Sequence, residues 1–436
     1  MQKIFFRGKL SYLSLSNYQA SLKENFRNIR RMASNTQGAD EIETYNYTEA
    51  EFIPHVTPWE EVGSKSEVSK FDQAVHERWD RAMANGVFRY TIDHIVTRII
   101  PGSKQYVAQL NTLRATERRK PQVITSVYQP FNPKSFNFTW VKSNEVIFNI
   151  RKVHSPANIT NGDAANSTVS EEEEKVRHCL VVNVSPMEYG HCLLLPEMDL
   201  MRPQVLTERA LEVAVETMLL SKHRGFRLGF NSLCAFASVN HLHFHAYYLD
   251  YELIVDHCPV EHLGGKYYEF TSLPCPGFAL QLHGSTVKQV AREAFKLSSY
   301  FHKADIAHNV YINRGLVFGE ERGSNLTTIR LFIWPRKKYI GTKSSDEFNV
   351  ASLELGGHLP IKDEFESVNM ACAELAGHEN FKEAEGYHKF TEEDVDAIVD
   401  AANLRKEDYE KIKREVIRMG LESVTHDDDE TGSHQS

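Results

Sequence analysis

The chain has 436 residues, room for roughly two to four domain-sized units. Hydrophobic residues make up 41% and charged residues 25%, which excludes wholesale disorder and gives a core that needs neither disulfides nor metal as staples. The net charge of −9 argues against a dedicated nucleic-acid binder but not against a nucleotide substrate, which needs only a few local donors.

No run of 18 apolar residues occurs, so no membrane span is expected. The six cysteines are scattered without a CxxC pair, which points to a reducing, cytoplasmic setting and supports neither a disulfide framework nor a zinc knuckle. Residues 1–65 read as a flexible leader. Seven Lys/Arg against one acidic residue between Met1 and Gly38 fit a basic mobile leader or a transit peptide.

A catalytic region is expected over 66–365. In Ser69–Asn85 the apolar residues Phe71, Val75, Trp79 and Met83 fall at helical spacing, and Gly86 stops the helix. Glu145–Val153 reads as a strand, and 155–175, rich in Asn and Ser and ending in Glu171–Glu174, as a surface insertion. Val176–Val184 and His191–Leu195 form a hairpin about Ser185-Pro186 and Gly190. Thr207 opens a helix to about His223. The strands Phe226–Phe230, Ala235–Val239 and His241–Leu249 follow, then a helix capped by Ser285 and the strands Asn309–Asn313 and Thr328–Trp334. The fold class is therefore α+β, a mainly antiparallel sheet with flanking helices. Val176–Pro196 joined to His241–Leu249 is echoed by Asn309–Asn313 joined to Ile329–Pro335, which suggests two related repeats. A small helical segment is expected over 366–420, opened by the capping box at Thr391–Asp394, with an acidic disordered tail over 421–436.

The chemistry concentrates in Asn240–Asp250, NHLHFHAYYLD. On a strand, alternation puts His241, His243 and His245 on one face and Leu242, Phe244 and Ala246 on the other. Three aligned imidazoles have two readings. They could ligate zinc with an open position for water, or one could attack a phosphorus while its neighbours donate to phosphoryl oxygens. In the second case the nucleophile must be neutral, and a backbone carbonyl accepting from its other nitrogen would fix the tautomer.

The surroundings carry a resemblance. NVSPMEYGHCLLLP at 183–196 followed by HLHFH at 241–245 resembles the histidine triad superfamily of nucleotide hydrolases and transferases. With FNSLCAFASVNHLHFHAYYL at 230–249, YVAQLN at Tyr106–Asn111 and QPFNPKSFNF at Gln129–Phe138, the chain resembles the GDP-sugar phosphorylase branch: the plant enzymes acting on GDP-L-galactose and their animal relatives acting on GDP-D-glucose. This implies a histidine-triad, uridylyltransferase-like fold and a reaction of GDP-hexose with inorganic phosphate through a covalent GMP-histidine. His243 would be the nucleophile, His241 would orient it, and His245 would meet a phosphoryl oxygen or the departing group. Asn183, Gly190, His191, Ser238 and Asn240 would border the substrate. His245 stands where the plant branch has glutamine, which implies GDP-D-glucose as the hexose donor. The resemblance implies no redox cofactor and no resident metal. Arg227, Arg314, Arg330, Arg336 and Lys337 are candidate cations for the diphosphate, and Glu354–His358 is a further candidate element. A triad hydrolase, a sugar-nucleotide transferase and a non-catalytic nucleotide-binding regulator are the alternative readings.

Overall fold

An eleven-stranded sheet organises the computed structural model, which describes residues 42–59, 66–153, 176–342, 349–362 and 390–432. The expected insertion at 155–175, most of the expected leader, residues 366–389 and the last four residues lie outside the described residues. In chain order the strands are β1 Thr44–Tyr47, β2 Val96–Ile99, β3 Val107–Leu110, β4 Val123–Ile124, β5 Val146–Lys152, β6 His178–Val182, β7 Cys192–Leu195 and β8 Phe226–Asn231. They continue with β9 Phe244–Tyr248, β10 Glu261–Gly264, β11 Tyr267–Phe270, β12 Gly277–Gln281, β13 Ala307–Leu316, β14 Thr327–Arg336, β15 Gly341–Thr342 and β16 His358–Ile361.

The large sheet runs β1-β5-β6-β7-β9-β8-β13-β14-β12-β11-β10. It is antiparallel throughout except where β1 adds in parallel to β5. Its centre is the β8–β13 pair, with Leu228 opposite Ile312 and Asn231 opposite Asn309. Every residue of β6, β7, β8, β13 and β14 is buried, because both faces are covered.

Three helices cover one face: α1 Lys70–Ala84, α2 Glu208–Leu220 and α3 Val287–Lys303. Trp79, Leu211, Met218, Leu297 and Phe301 meet Phe244, Ala246, Ile312 and Leu331 in the larger core. Each helix is opened by a hydroxyl: the side chains of Ser69, Thr207 and Thr286 accept from the amides of Asp72, Ala210 and Gln289. Thr286 rather than Ser285 caps α3, since Gln289 completes its capping box.

A second core covers the opposite face, where Tyr247, Tyr311, Phe332 and Trp334 meet the small β16-β3-β2 sheet and helix α4, Glu392–Asp400. Helix α5, Lys406–Gly432, packs Tyr409, Ile412 and Val416 beside β10–β12. Its hydrogen bonding runs through 421, where a disordered tail was expected. Ser423 still bonds the Met419 carbonyl and Glu293, so the anchored surface extends past the last apolar turn.

Two further expectations are corrected. Residues 42–59, within the stretch read as leader, are built into the core. Tyr45 stacks on Phe148 at 5.4 Å, and the Tyr47 hydroxyl donates to Glu216 at 2.8 Å. A four-residue strand is too short for its alternation to stand out. Ala235–Val239 is not a strand, because Cys234 and Phe236 take φ of 60° and 68° and turn the chain out of the pleat.

The two halves of the sheet meet over one buried carboxylate. Asp256 lies in the turn Ile254–Asp256 between them and is 1% exposed. It accepts both terminal nitrogens of the fully buried Arg227, at 2.7 and 2.8 Å, the Asn313 amide at 2.8 Å and the Leu253 N–H at 2.9 Å. Its own carbonyl accepts from Arg330 at 2.9 Å. Removing the negative charge leaves Arg227 charged and buried without its counterion, so Asp256→Asn should lower stability by about 3–5 kcal/mol in urea unfolding. A double replacement of Arg227 and Asp256 by Met and Leu should recover much of that loss. Equal loss in the single and double variants would show that the pair is not the source.

Candidate active site

The histidine face begins just before β9. The strand itself spans Phe244–Tyr248, so His245 lies in the pleat while His241 and His243 precede it in extended chain held by neighbours. The Gln204 side chain replaces the missing ladder: its carbonyl accepts the His243 N–H at 2.9 Å, and its amide donates to the His243 carbonyl at 3.1 Å and to that of Asn231 at 3.0 Å. The expected alternation survives, with Leu242, Phe244 and Ala246 in the helix-side core and the imidazoles opposite.

Hydrogen-bond donors assign the protonation of each ring. His243 Nδ1 lies 2.7 Å from the His241 carbonyl and must carry the proton that bonds it. Nε2 then keeps its lone pair, as an attacking imidazole requires. His241 Nδ1 accepts the Phe138 N–H at 3.1 Å, and the Met198 backbone also bonds this ring. His241 is thus a strut between segments 136–140 and 197–201. A ligating imidazole needs a free lone pair, so three-histidine zinc coordination does not fit His241. Among the described residues no group of three His, Cys, Asp or Glu is placed to hold a metal ion.

His191 adds a fourth ring. Its Nδ1 accepts the Met187 N–H at 3.0 Å, so its hydrogen is on Nε2, which donates to His245 Nδ1 at 3.0 Å. His245 therefore carries its hydrogen on Nε2, and His191 sets that tautomer. Next to the open lone pair of His243 stands a ring prepared to donate.

The other expected residues split between substrate edge and scaffold. Gly190 turns the hairpin at φ +66°, where an added Cβ would meet the Tyr248 ring at 2.4 Å. Asn183 is half-buried, with its amide nitrogen 3.3 Å from His191 Nε2 and its oxygen accepting the Ser185 N–H. Asn240 is committed to scaffold: its oxygen accepts the Gln204 N–H and its amide donates to the carbonyls of Gln129 and Pro130, tying down the QPFNP segment. Ser238 presents its carbonyl to the Gln122 N–H. Phe138 stands edge-on to His243, with centroids 4.9 Å apart.

The candidate cations are elsewhere. Arg314 is spent on the carbonyls of Ile53, Met218 and Ser221, Arg330 on those of Asp256 and Cys258, and Arg336 on that of Val350. Lys337 donates to the Ala401 carbonyl. In the Glu354–His358 stretch, His358 joins a buried chain. The Tyr247 hydroxyl donates to His358 Nδ1 at 3.2 Å, His358 Nε2 donates to Gln109 at 2.5 Å, and the Gln109 amide donates to Glu188. Asn111 donates to the Pro186 carbonyl at 3.1 Å, so YVAQLN braces the turn that carries His191.

Burial sets the electrostatics. Desolvation holds His243 and His241 down to about 4, and His191 well below the ordinary imidazole range, with Arg114 adding to it. His243 is thus neutral at physiological pH. Glu188 moves the other way, pushed up to about 7 by desolvation. The folded chain then holds the Glu188 proton more tightly than the unfolded chain. This contribution is complete below about 4.5 and is lost as pH rises through about 7. Glu188→Gln should remove up to roughly 3 kcal/mol of that loss between pH 5 and 8, read from urea midpoints. The depressed histidines act in the opposite sense, with stability falling as pH drops from about 6.5 towards 4. Parallel pH curves for wild type and variant between 5 and 8 would mean that Glu188 does not bind its proton there.

Two family models match the chain: the GDPGP1-like N-terminal domain over residues 70–247 and the GDPGP1-like C-terminal domain over 254–422. A Xenopus laevis protein named GDP-D-glucose phosphorylase 1 is 38% identical over 348 residues, covering 74% of this chain and 87% of the relative. An Arabidopsis thaliana protein named GDP-L-galactose phosphorylase 2 is 27% identical, covering 80% of this chain and 76% of its own length. A solved yeast Ap4A phosphorylase, Apa2, superposes over 78% of this chain and 97% of its own at 13% identity, with a TM-score of 0.44, too loose to bear on fold or chemistry.

Proposed function

The chain belongs to the GDPGP1-like family, and on that footing we propose that its histidine face is the active site of a GDP-hexose phosphorylase that converts GDP-D-glucose and phosphate to glucose 1-phosphate and GDP. The observation that carries the reading is the tautomer set: a lone pair on His243 Nε2 beside a hydrogen on His245 Nε2.

The reaction has two displacements. His243 Nε2 attacks the α-phosphorus, the bond from that phosphorus to the bridging oxygen breaks, and glucose 1-phosphate leaves with GMP held on the imidazole. A hydrogen on His245 Nε2 would serve a phosphoryl or departing oxygen, and the carbonyl of His241 takes up the growing positive charge at His243 Nδ1–H. Inorganic phosphate then attacks the same phosphorus, the P–N bond breaks, and GDP departs while His243 returns to its starting tautomer. Catalysis of this kind rests on alignment and on donors aimed at phosphoryl oxygens. His241 acts as a positioning residue, and Asn183 and His191 border the nucleotide.

We also read the molecule as two related repeats of the histidine-triad, uridylyltransferase-like type. Counted outward from the centre, β8-β9-β7-β6-β5 is matched by β13-β14-β12-β11-β10, with α2 and α3 in corresponding crossovers. This supports equivalence of the two strand sets, with β6–β7 answering to β11–β12 rather than to β13. A cytoplasmic setting is supported by the free cysteines among the described residues. No described helix is long and apolar enough to cross a membrane.

Incubation with GDP-glucose and no phosphate should leave one guanylyl group per chain on His243, stable to base and labile to acid. His243→Ala should abolish the adduct and lower turnover at least about 10³-fold. An adduct mapped to His241 or His245 would overturn the role assignment. GMP release without phosphate would mark a hydrolase, and tight binding without turnover a regulator.

A further inference from the structure

The segment from Asn111 to Gln122 crosses the edge of the histidine face, pinned at both sides. On one side the Glu117 carbonyl accepts from the Ser185 hydroxyl at 3.0 Å and from Arg89 at 3.3 Å. On the other, Gln122 donates its N–H to the Ser238 carbonyl, and its side chain accepts the Asn240 N–H at 3.0 Å. The segment carries Arg114 ahead of the first anchor and Arg118, Arg119 and Lys120 between the two.

Two of these cations are linked to the histidine face by the contacts of the segment. Arg114 donates to the Ser185 carbonyl, and its charge is felt by His191, which bonds the triad ring His245. The Arg119 guanidinium carbon lies over Phe136, 3.2 Å from the ring centroid. Phe136 meets Phe138 at 5.8 Å, and Phe138 meets His243 at 4.9 Å, so two aromatic rings separate Arg119 from the nucleophile.

Among the described residues, Arg89, Arg114, Arg119 and Lys120 form no ion pair, although the whole chain carries a net charge of −9. Arg119 is half-buried and depressed by desolvation and by repulsion from Arg89. The carboxylate acting on it, Glu145, sits too far away to pair with it. Like charges gathered with no carboxylate in ion-pair contact raise the energy of the unliganded fold, and an oxyanion placed among them relieves it. A guanidinium held over an aromatic ring by cation–π attraction still has N–H groups to offer a phosphate.

We propose that Arg89, Arg114, Arg119 and Lys120 form a phosphate-binding rim of the active site, with Arg119 as the principal contact. The ligand is a phosphate oxyanion, reaching the rim either as the diphosphate of the nucleotide sugar or as the free phosphate that attacks the guanylyl-histidine. This deepens the phosphorylase reading and rests on it.

The test uses the full chain with Arg119→Gln and Arg119→Lys. KM for inorganic phosphate and for GDP-glucose are measured separately, together with the Kd of GDP and of guanosine. Arg119→Gln is expected to raise at least one KM about tenfold or more, the scale of one lost charge-assisted contact, with Arg119→Lys recovering part of it. A rise confined to phosphate assigns the rim to the free anion. A rise for GDP-glucose and GDP, with guanosine unchanged, assigns it to the diphosphate. Equal weakening of guanosine and GDP, or both KM values within twofold of wild type, overturns the proposal. If the glutamine variant fails to keep its thermal midpoint, Arg89→Gln, at an exposed site, replaces it with the same expected direction. If the wild type shows no phosphate-dependent turnover, the phosphorylase reading fails, while the comparison of GDP with guanosine still decides whether the rim binds phosphate.

Discussion

The molecule depends on a single buried carboxylate lying where its two halves meet. Asp256 gathers Arg227 from β8, Asn313 from β13 and the amide of its own turn, while its carbonyl receives Arg330 from β14. A charge pair at this depth is costly to desolvate and is held because both carboxylate oxygens and both terminal nitrogens of Arg227 have partners. Its value is in register: fork-shaped donors and a two-oxygen acceptor fit in one alignment, which fixes β8 against β13 and thereby the place of β9 beside them. The histidine face inherits its position from this alignment.

At the site the protein uses backbone groups to choose tautomers. A carbonyl selects the hydrogen on His243, an amide on His191 forces its hydrogen outward, and that hydrogen in turn determines His245. No charged residue hydrogen-bonds the ring of His243 among the described residues. Burial keeps the rings neutral, and hydrogen-bond polarity decides where each lone pair points. The chain Tyr247–His358–Gln109–Glu188 runs behind this arrangement and holds the hairpin turn from beneath.

Much of this was legible in the chain. Three histidines alternating with Leu242, Phe244 and Ala246 require one polar and one apolar face, and the hairpin about Ser185 and Gly190 follows from turn chemistry. The helices α1 and α2 were visible from their spacing and caps. The partners of the imidazoles were not. The Phe138 N–H and the Met198 carbonyl are main-chain groups, which any residue would supply, so no residue type announces them. Glu188 and His358 are joined through Gln109 across 170 residues, a link that local pattern cannot reveal. Arg314 and Arg330 were picked for lying near the second strand pair, yet β13 and β14 are covered on both faces, and their guanidiniums turn inward to carbonyls. The run Arg118-Arg119-Lys120 was a readable signal that proximity in sequence to YVAQLN could have promoted.

The central β8–β13 pair has a consequence for synthesis. β8 ends at Asn231, but its partner begins only at Ala307. At translation rates of roughly 5–20 residues per second, the strand that will lie in the middle of the sheet spends several seconds with one edge unpaired. The newborn N-terminal half therefore passes through a window in which strand addition by another chain competes with its own unfinished partner.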